Sequence, residues 1–258
     1  MTDRVHLTAE AQKFRDLHNG PDILVLANAW DAASARRFEA AGFPAVATTS
    51  GGVALALGYA DHEQAPVDEM LASAARIVRA ISLPVTVDFE AGYGLAPEEI
   101  ARRIIDIGAV GLNLEDTDHQ NGALRPAEEQ AETLAAVKAA ARSLGVDLFL
   151  NARVDVFIRR EGDLATQLAE GIRRARIYRD AGADSIYPIM LNDPEAIRAM
   201  VAASGVVNVT LRRGGPLSIG DARTAGARRA TYATSLFRDT MAALDAIAAE
   251  IRTAVLGE

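Results

Sequence analysis

The chain has 258 residues, half of them hydrophobic and 24% charged, with a formal net charge of −8 and no cysteine. That apolar content suits one large domain or two small ones. The acidity argues against a nucleic-acid or anionic-membrane surface, and the missing thiol excludes disulfides, thiolate-bound zinc and a cysteine nucleophile.

Short apolar runs alternate with amphipathic, alanine-rich segments. A leading helix is expected over about 8–19, a first strand over 23–28, and a helix from Asp31 to near Gly42. A second strand over 45–49 is expected to turn out through Ser50-Gly51-Gly52. A helix near 67–80 then leads through Pro84 into a third strand over 84–88. Pro97-Glu98-Glu99 opens the next helix, with proline in the first turn and acids at the positive end of the dipole. The remaining strands are read at 110–114, 147–151, 184–187, 206–209 and 229–232. The remaining helices are read at 126–144, 164–181, 193–203, 218–225 and 234–255.

Five helix–Gly–strand junctions, at Gly42, Gly108, Gly145, Gly182 and Gly205, fit left-handed helix caps. About eight βα units in one uninterrupted chain predict an α/β protein, a single-domain (β/α)₈ barrel spanning 1–258. A doubly wound open sheet is the runner-up, but no glycine-rich dinucleotide fingerprint follows the first strand. The start, Met1-Thr2-Asp3-Arg4-Val5-His6, has no signal-peptide core and no apolar run reaches transmembrane length. A cytoplasmic protein is expected.

In such a barrel the chemistry gathers at the C-terminal strand ends. Val85-Thr86-Val87-Asp88-Phe89-Glu90 ends the third strand, and strand alternation would put Asp88 and Glu90 on one side if it runs that far. Paired acids repel unless a cation or shared proton lies between them, and hard oxygens suit Mg²⁺ or Mn²⁺. Glu115-Asp116 ends the fourth strand and Asn151-Ala152-Arg153-Val154-Asp155 the fifth. Tyr187-Pro188 and Asn208-Val209-Thr210 end the sixth and seventh. A cation on the acids with Arg153 beside it would clamp a small anionic substrate. His6 and His18 are read as surface residues, and His62 and His119 as either solvated loop residues or acid–base groups. Arg212-Arg213-Gly214-Gly215 reads equally as a phosphate nest or a solvated loop, and Arg173-Arg174 and Arg228-Arg229 as helix-face, ion-pair or subunit residues.

Taken in order, Asn28-Ala29-Trp30-Asp31, Thr49-Ser50-Gly51, Gly58 with Asp61, Asp88-Phe89-Glu90-Ala91-Gly92-Tyr93-Gly94, Leu114-Glu115-Asp116 and Asn151-Ala152-Arg153-Val154-Asp155 resemble the isocitrate lyase/phosphoenolpyruvate mutase superfamily. The likeness runs from about Asn28 to the C-terminal helix. It implies Asp88 as the direct Mg²⁺ ligand, with Asp61, Glu90 and Glu115 holding the metal through water. Ser50, Gly51, Gly52 and nearby backbone resemble the substrate-carboxylate pocket and Trp30 its wall; Asn208 joins this substrate-binding set. Arg153 resembles the arginine that binds substrate and stabilises charge. The family chemistry makes or breaks a bond next to a 2-oxo acid through a pyruvate-type enolate. Family members are typically tetramers that exchange the C-terminal helix, and residues 234–255 are long enough for that.

The departures from the family pattern concern the acid–base group. The lyases carry a catalytic cysteine loop where this chain has Thr117 to Pro126, without cysteine. The phosphonomutase Lys-Thr-Asn-Ser loop is missing too, and Tyr187-Pro188 stands where those enzymes have histidine. Glu115, His119, Asn121 and Tyr187 are left as candidates beside Arg153. The leading expectation is a Mg²⁺-dependent carbon–carbon lyase, hydrolase or decarboxylase acting on a small 2-oxo or 2-hydroxy acid. The alternatives are phosphorus–carbon chemistry on phosphoenolpyruvate or phosphonopyruvate, and a silent carboxylate-binding barrel.

Overall fold

The computed structural model describes residues 4–256, so Met1-Thr2-Asp3 of the expected leaderless start lies outside the described residues. Eight strands run in parallel: β1 Leu24–Ala29, β2 Val46–Thr48, β3 Val85–Asp88, β4 Gly111–Glu115, β5 Phe149–Val154, β6 Ser185–Pro188, β7 Asn208–Thr210 and β8 Arg229–Thr231. Their hydrogen-bonded order is β6-β5-β4-β3-β2-β1-β8-β7. A parallel bridge from Ile186 to Val207 joins the two ends, giving a nearly closed barrel ringed by helices. The expected barrel is thus present.

Parallel strands covered by helices are buried on both faces, and apolar runs such as Val85-Thr86-Val87 and Phe149-Leu150 meet that demand. Helix Pro97–Asp106 buries Ile100, Ala101, Ile104 and Ile105, one stripe at helical spacing. The leading helix, Arg4–His18, buries Leu7, Ala11, Phe14 and His18. The Phe14 ring meets the Phe149 ring edge-on at 5.2 Å, and His18 stacks on Phe149 at 4.1 Å. His18 is therefore not the surface residue expected. Its Nδ1 donates to the Phe14 carbonyl at 2.8 Å, and burial, helped by nearby Arg229, lowers its pKa from 6.5 to about 3.

Several local expectations change. Ser50-Gly51-Gly52 does not turn out of β2 but begins a helix, Ser50–Leu57, with Thr49 as its N-cap. A Cβ on Gly51 would lie 2.5 Å from Asp61 Oδ2 and 2.7 Å from Thr234 Oγ1, so only glycine lets this helix start so close to both. Strand β3 stops at Asp88, and Glu90 sits in a turn at φ 46°. Alternation along the strand therefore does not place Glu90; its carbonyl, which accepts from Glu115 N at 2.9 Å, pins it instead. Strand β5 runs on to Val154, carrying Arg153 within it. A hairpin pairing Thr117–Asp118 with Ala123–Leu124 occupies the 117–126 loop, and a short helix, Val156–Arg159, follows β5. The last helix, Ser235–Leu256, leaves Leu244, Ile247, Ile251 and Val255 exposed along one stripe.

Candidate active site

A cavity of about 200 Å³ opens at the C-terminal strand ends. Its walls include Ser50, Asp61, Asp88, Glu90, Glu115 and Arg153, together with Tyr187, Thr210, Arg212 and Arg238. A larger groove of about 660 Å³ lies at the other end, between the leading helix and β1. Its lining is mainly apolar with Lys13, Asp16 and Asp22, and no charged groups converge there, so convergence rather than size selects the mouth.

The acids are held from several directions. Asp88 Oδ2 accepts from Ser50 N at 3.0 Å and Ser50 Oγ at 2.8 Å, at the positive end of helix Ser50–Leu57. Asn113 Nδ2 donates to Asp88 Oδ1 at 3.3 Å, and Thr48 Oγ1 accepts from Asp88 N at 2.9 Å. Glu90 is buried; its Oε2 accepts from Glu63 N at 2.7 Å and its Oε1 from the Tyr93 hydroxyl. Burial pushes its pKa up to about 8, the Tyr93 hydroxyl opposes this, and Asp61, Glu115 and Asp88 add to the rise. Burial likewise pushes Glu115 well above the usual carboxylate range, against the pull of Arg153. His119 Nε2 lies 2.6 Å from Glu115 Oε1 and 3.9 Å from Glu90 Oε2.

This donor set fits a divalent cation. Four carboxylates, Asp61, Asp88, Glu90 and Glu115, face one cavity and present hard oxygen donors to it. Arg153 Nη1 contacts Glu115 Oε2 as an ion pair, yet no N–H is aligned on that buried oxygen, which keeps a free lone pair. A second grouping lies beside it: donor atoms of His62, Glu90 and His119 all fall within 4.8 Å of one another. That nitrogen-rich trio suits softer metals than the carboxylates do.

Arg153 is fixed by Asp155, whose Oδ1 takes Nε at 2.6 Å and Oδ2 takes Nη2 at 3.1 Å. Burial alone would lower its pKa, but Asp155, Glu115 and Asp88 hold it well above the usual value, so it stays a cation. Asp155 is tied in turn to Thr117 Oγ1 at 2.6 Å, and its N–H donates to Asp116 Oδ1 at 2.9 Å. Asp116, fully buried, receives Arg174 Nη1 at 2.9 Å and the Tyr178 hydroxyl at 2.7 Å. Arg174 is therefore a buried ion-pair brace behind the site, the ion-pair alternative among its three expected roles. Tyr187, buried, shares a 2.8 Å hydroxyl contact with Thr210, and burial pushes its pKa up.

Among the described residues, seven non-glycine residues have positive φ: His62, Glu63, Glu90, Tyr93, Arg160, Met190 and Ala233. Each conformation costs on the order of 1–3 kcal/mol, and such strain collects at functional sites. His62, Glu90, Met190 and Ala233 line the cavity, and Glu63 and Tyr93 bond to Glu90.

Other expected residues stand elsewhere. Trp30 lies outside the cavity, its ring edge-on to Phe237 at 5.4 Å, and lines a separate groove with Phe38 and Leu236. Gly51 and Gly52 shape the helix start without lining the cavity, and Asn208 is buried beneath it, its Oδ1 taking Thr231 Oγ1 at 3.3 Å. Asn121 lies on the exposed hairpin turn, bonded to Asp118. Arg229 is fully buried in the barrel, its guanidinium 5.9 Å over the Phe14 ring, rather than at a helix face or subunit contact. The reading of the sequence missed Asn113, Tyr232, Thr234 and Arg238. Asn113 could have been found by alternation with Glu115 along β4; Tyr232 and Thr234 lie in the turn after β8, where no period orients them, and Arg238 lies in the first turns of the last helix, whose period does not tell which face meets the cavity.

The family model described as phosphoenolpyruvate phosphomutase matches residues 14–252. A protein of Burkholderia cenocepacia J2315, provisionally assigned as a phosphonomutase, has a structure 42% identical in sequence with a TM-score of 0.87, covering 93% of this chain and 98% of that one. The 2-methylisocitrate lyase of Halalkalibacterium halodurans is 30% identical over 241 residues, 88% of this chain and 77% of that protein. The structure of an oxaloacetate acetylhydrolase with its product oxalate is 25% identical, with a TM-score of 0.84 over 95% of this chain and 87% of that one.

Proposed function

The chain belongs to the phosphoenolpyruvate phosphomutase family, within the superfamily that includes the isocitrate lyases, and from that premise we propose a Mg²⁺-dependent lyase that cleaves a C–C bond in a small 2-oxo or 2-hydroxy acid. The observation that carries this reading is the convergence of Asp61, Asp88, Glu90, Glu115 and Arg153 on one small cavity. Asp88, with Asp61, Glu90 and Glu115 around it, would hold the metal. When bound, Mg²⁺ supplies positive charge where an enolate oxygen develops. Arg153, kept charged and oriented by Asp155, binds the substrate carboxylate and stabilises the same developing charge. Ser50 gives its N–H and hydroxyl to Asp88 and so positions that metal-holding carboxylate at the cavity wall. His119, against Glu115, and Tyr187, facing the cavity, are the groups placed to move a proton to or from the cleaved fragment.

A second reading, phosphorus–carbon chemistry on phosphonopyruvate or phosphoenolpyruvate, has its own support in the 42%-identical neighbour. The deciding experiment couples pyruvate release to lactate dehydrogenase, with and without Mg²⁺, on oxaloacetate, substituted malates, methylisocitrate and phosphonopyruvate. Release that needs Mg²⁺ and disappears in Asp88→Ala, with the variant still folded, is the expected result. Release from phosphonopyruvate alone, or a phosphorus NMR shift of phosphoenolpyruvate without release, turns the reading to the second chemistry. No turnover, with oxalate still raising the melting temperature, leaves the silent carboxylate-binding barrel.

The whole chain is proposed to act as one domain in a cytoplasmic homotetramer. The exposed Leu244-Ile247-Ile251-Val255 stripe supports a subunit contact through the last helix. No helix among the described residues is long and apolar enough to cross a membrane.

A further inference from the structure

Four neighbouring strands each place one polar residue at the same level of the barrel interior. The register sets Asp88 of β3 opposite Asn113 of β4, Asn113 opposite Asn151 of β5, and Asn151 opposite Ser185 of β6. Branched aliphatic side chains ordinarily fill such a level. Asn113, Asn151 and Ser185 are all buried, and of the three only Asn113 reaches the cavity wall. Burying an amide or a hydroxyl is costly unless it is bonded, so the partners of these groups carry information.

The bonds run in one direction. A carboxylate oxygen accepts, so Asn113 presents its Nδ2 to Asp88 Oδ1, at 3.3 Å. That turns Asn113 Oδ1 toward Asn151, whose Nδ2 donates to it at 2.8 Å. Asn151 Oδ1 in turn takes the Ser185 hydroxyl. Arg229 Nη2 adds a longer contact, 3.4 Å, to Asn113 Oδ1. Turning the Asn113 amide over would set its oxygen against Asp88 and its nitrogen against Asn151 Nδ2, so its orientation is fixed from both sides. Ser50 already holds Asp88 Oδ2, and Asn113 therefore fixes the other oxygen and with it the plane of the carboxylate.

We infer that Ser185, Asn151 and Asn113 form a one-way hydrogen-bond relay that positions the Asp88 carboxylate for a divalent cation. The inference rests on the proposed reading of Asp88 as a metal-holding residue and adds three positioning residues to it. Two of them, Asn151 and Ser185, line no part of the cavity, so any effect they have on the cation must pass through Asn113. Removing an outer partner of a metal ligand typically weakens metal binding by about 10–100-fold.

Mn²⁺ binding to the whole chain, read from the electron paramagnetic resonance of the free ion, tests it. Near-ultraviolet circular dichroism checks that each variant is folded. Asn113→Leu and Asn151→Leu should each weaken Mn²⁺ binding by about tenfold or more. In the double variant the two losses should not add, because Asn151 acts through Asn113. Ser185→Ala should weaken the ion by a smaller factor, and Ser185→Thr, which keeps the hydroxyl, should restore it. Wild-type Mn²⁺ affinity in Asn151→Leu overturns the relay, as do losses that add or a melting temperature that falls while affinity stays unchanged. If the leucine variants do not fold, the Ser185 pair decides, and equal Mn²⁺ affinity in Ser185→Ala and wild type overturns it. Binding that is absent from the wild type, or survives intact in Asp88→Ala, instead removes the metal reading of Asp88 and the relay with it.

Discussion

The two ends of this barrel both bury charge, and they do so in opposite ways. At the mouth, Arg153 lies between Glu115 and Asp155, and behind them Arg174 meets Asp116, so each of these two buried cations has an acid in contact. At the floor, Arg229 is fully buried over the Phe14 ring with no carboxylate in contact. The one side-chain hydrogen bond it makes among the described residues is a long one, 3.4 Å, to Asn113 Oδ1, and burial lowers its pKa to about 10. Beside it His18 is kept neutral. Paired charges pointed at a cavity are machinery for handling another charge; single charges packed against rings are part of the plug. The larger groove lies at the plugged end, which is why size alone would mislead.

The sharpest way to break the comparison is to alter a mouth cation while keeping its charge. Arg153→Lys should lower kcat/KM by about 100-fold or more, since lysine cannot span Glu115 and Asp155 as a planar fork. Thermal unfolding should move little beside that loss. Near-wild-type turnover would remove Arg153 from the site. Next comes the contrast between braced and unbraced cations. Arg174→Met should cost about 3–5 kcal/mol in urea unfolding, because it strands Asp116, whereas Arg229→Met should cost about 1 kcal/mol or less, or stabilise. Equal costs would mean that Arg229 has a partner as strong as Asp116.

The smallest effect is one of pH. His18 has a folded pKa below its unfolded one, about 3 against 6.5, so the unfolded chain binds more protons between those values. Stability from this group is therefore fully present above about pH 6.5 and is lost as pH falls toward 3, on the order of a few kcal/mol in all. His18→Phe keeps a ring against Phe149 and removes the titration, so its stability should fall less between pH 7 and pH 4.5 than the wild type's. Parallel acid limbs would put the proton elsewhere.

The site was partly legible. Asp88, Glu115 and Arg153 end or lie in strands whose apolar runs announce them, and alternation along a strand orients a side chain without knowledge of its neighbours. Glu90 lies beyond the strand at positive φ, and no period reaches it. Arg212 lies in the loop after β7, where the path of the chain decides what a side chain faces, and Arg238 in the last helix, whose docking on the mouth decides which face meets the cavity. The Asp116–Arg174 brace joins residues 58 apart, a pairing that no local rule ranks above any other.

By itself the sequence determined the eight βα units, the helix caps and the acids at the strand ends, because these follow from local periodicity and the freedom of glycine at positive φ. Tertiary structure alone decided which charges pair across the fold, Arg153 with Glu115 and Arg174 with Asp116. It buried His18 and Arg229 at the floor and drew Asp61 within reach of Gly51. Burial and ion pairing depend on distances between segments far apart in the chain, and those distances exist only once the barrel has closed.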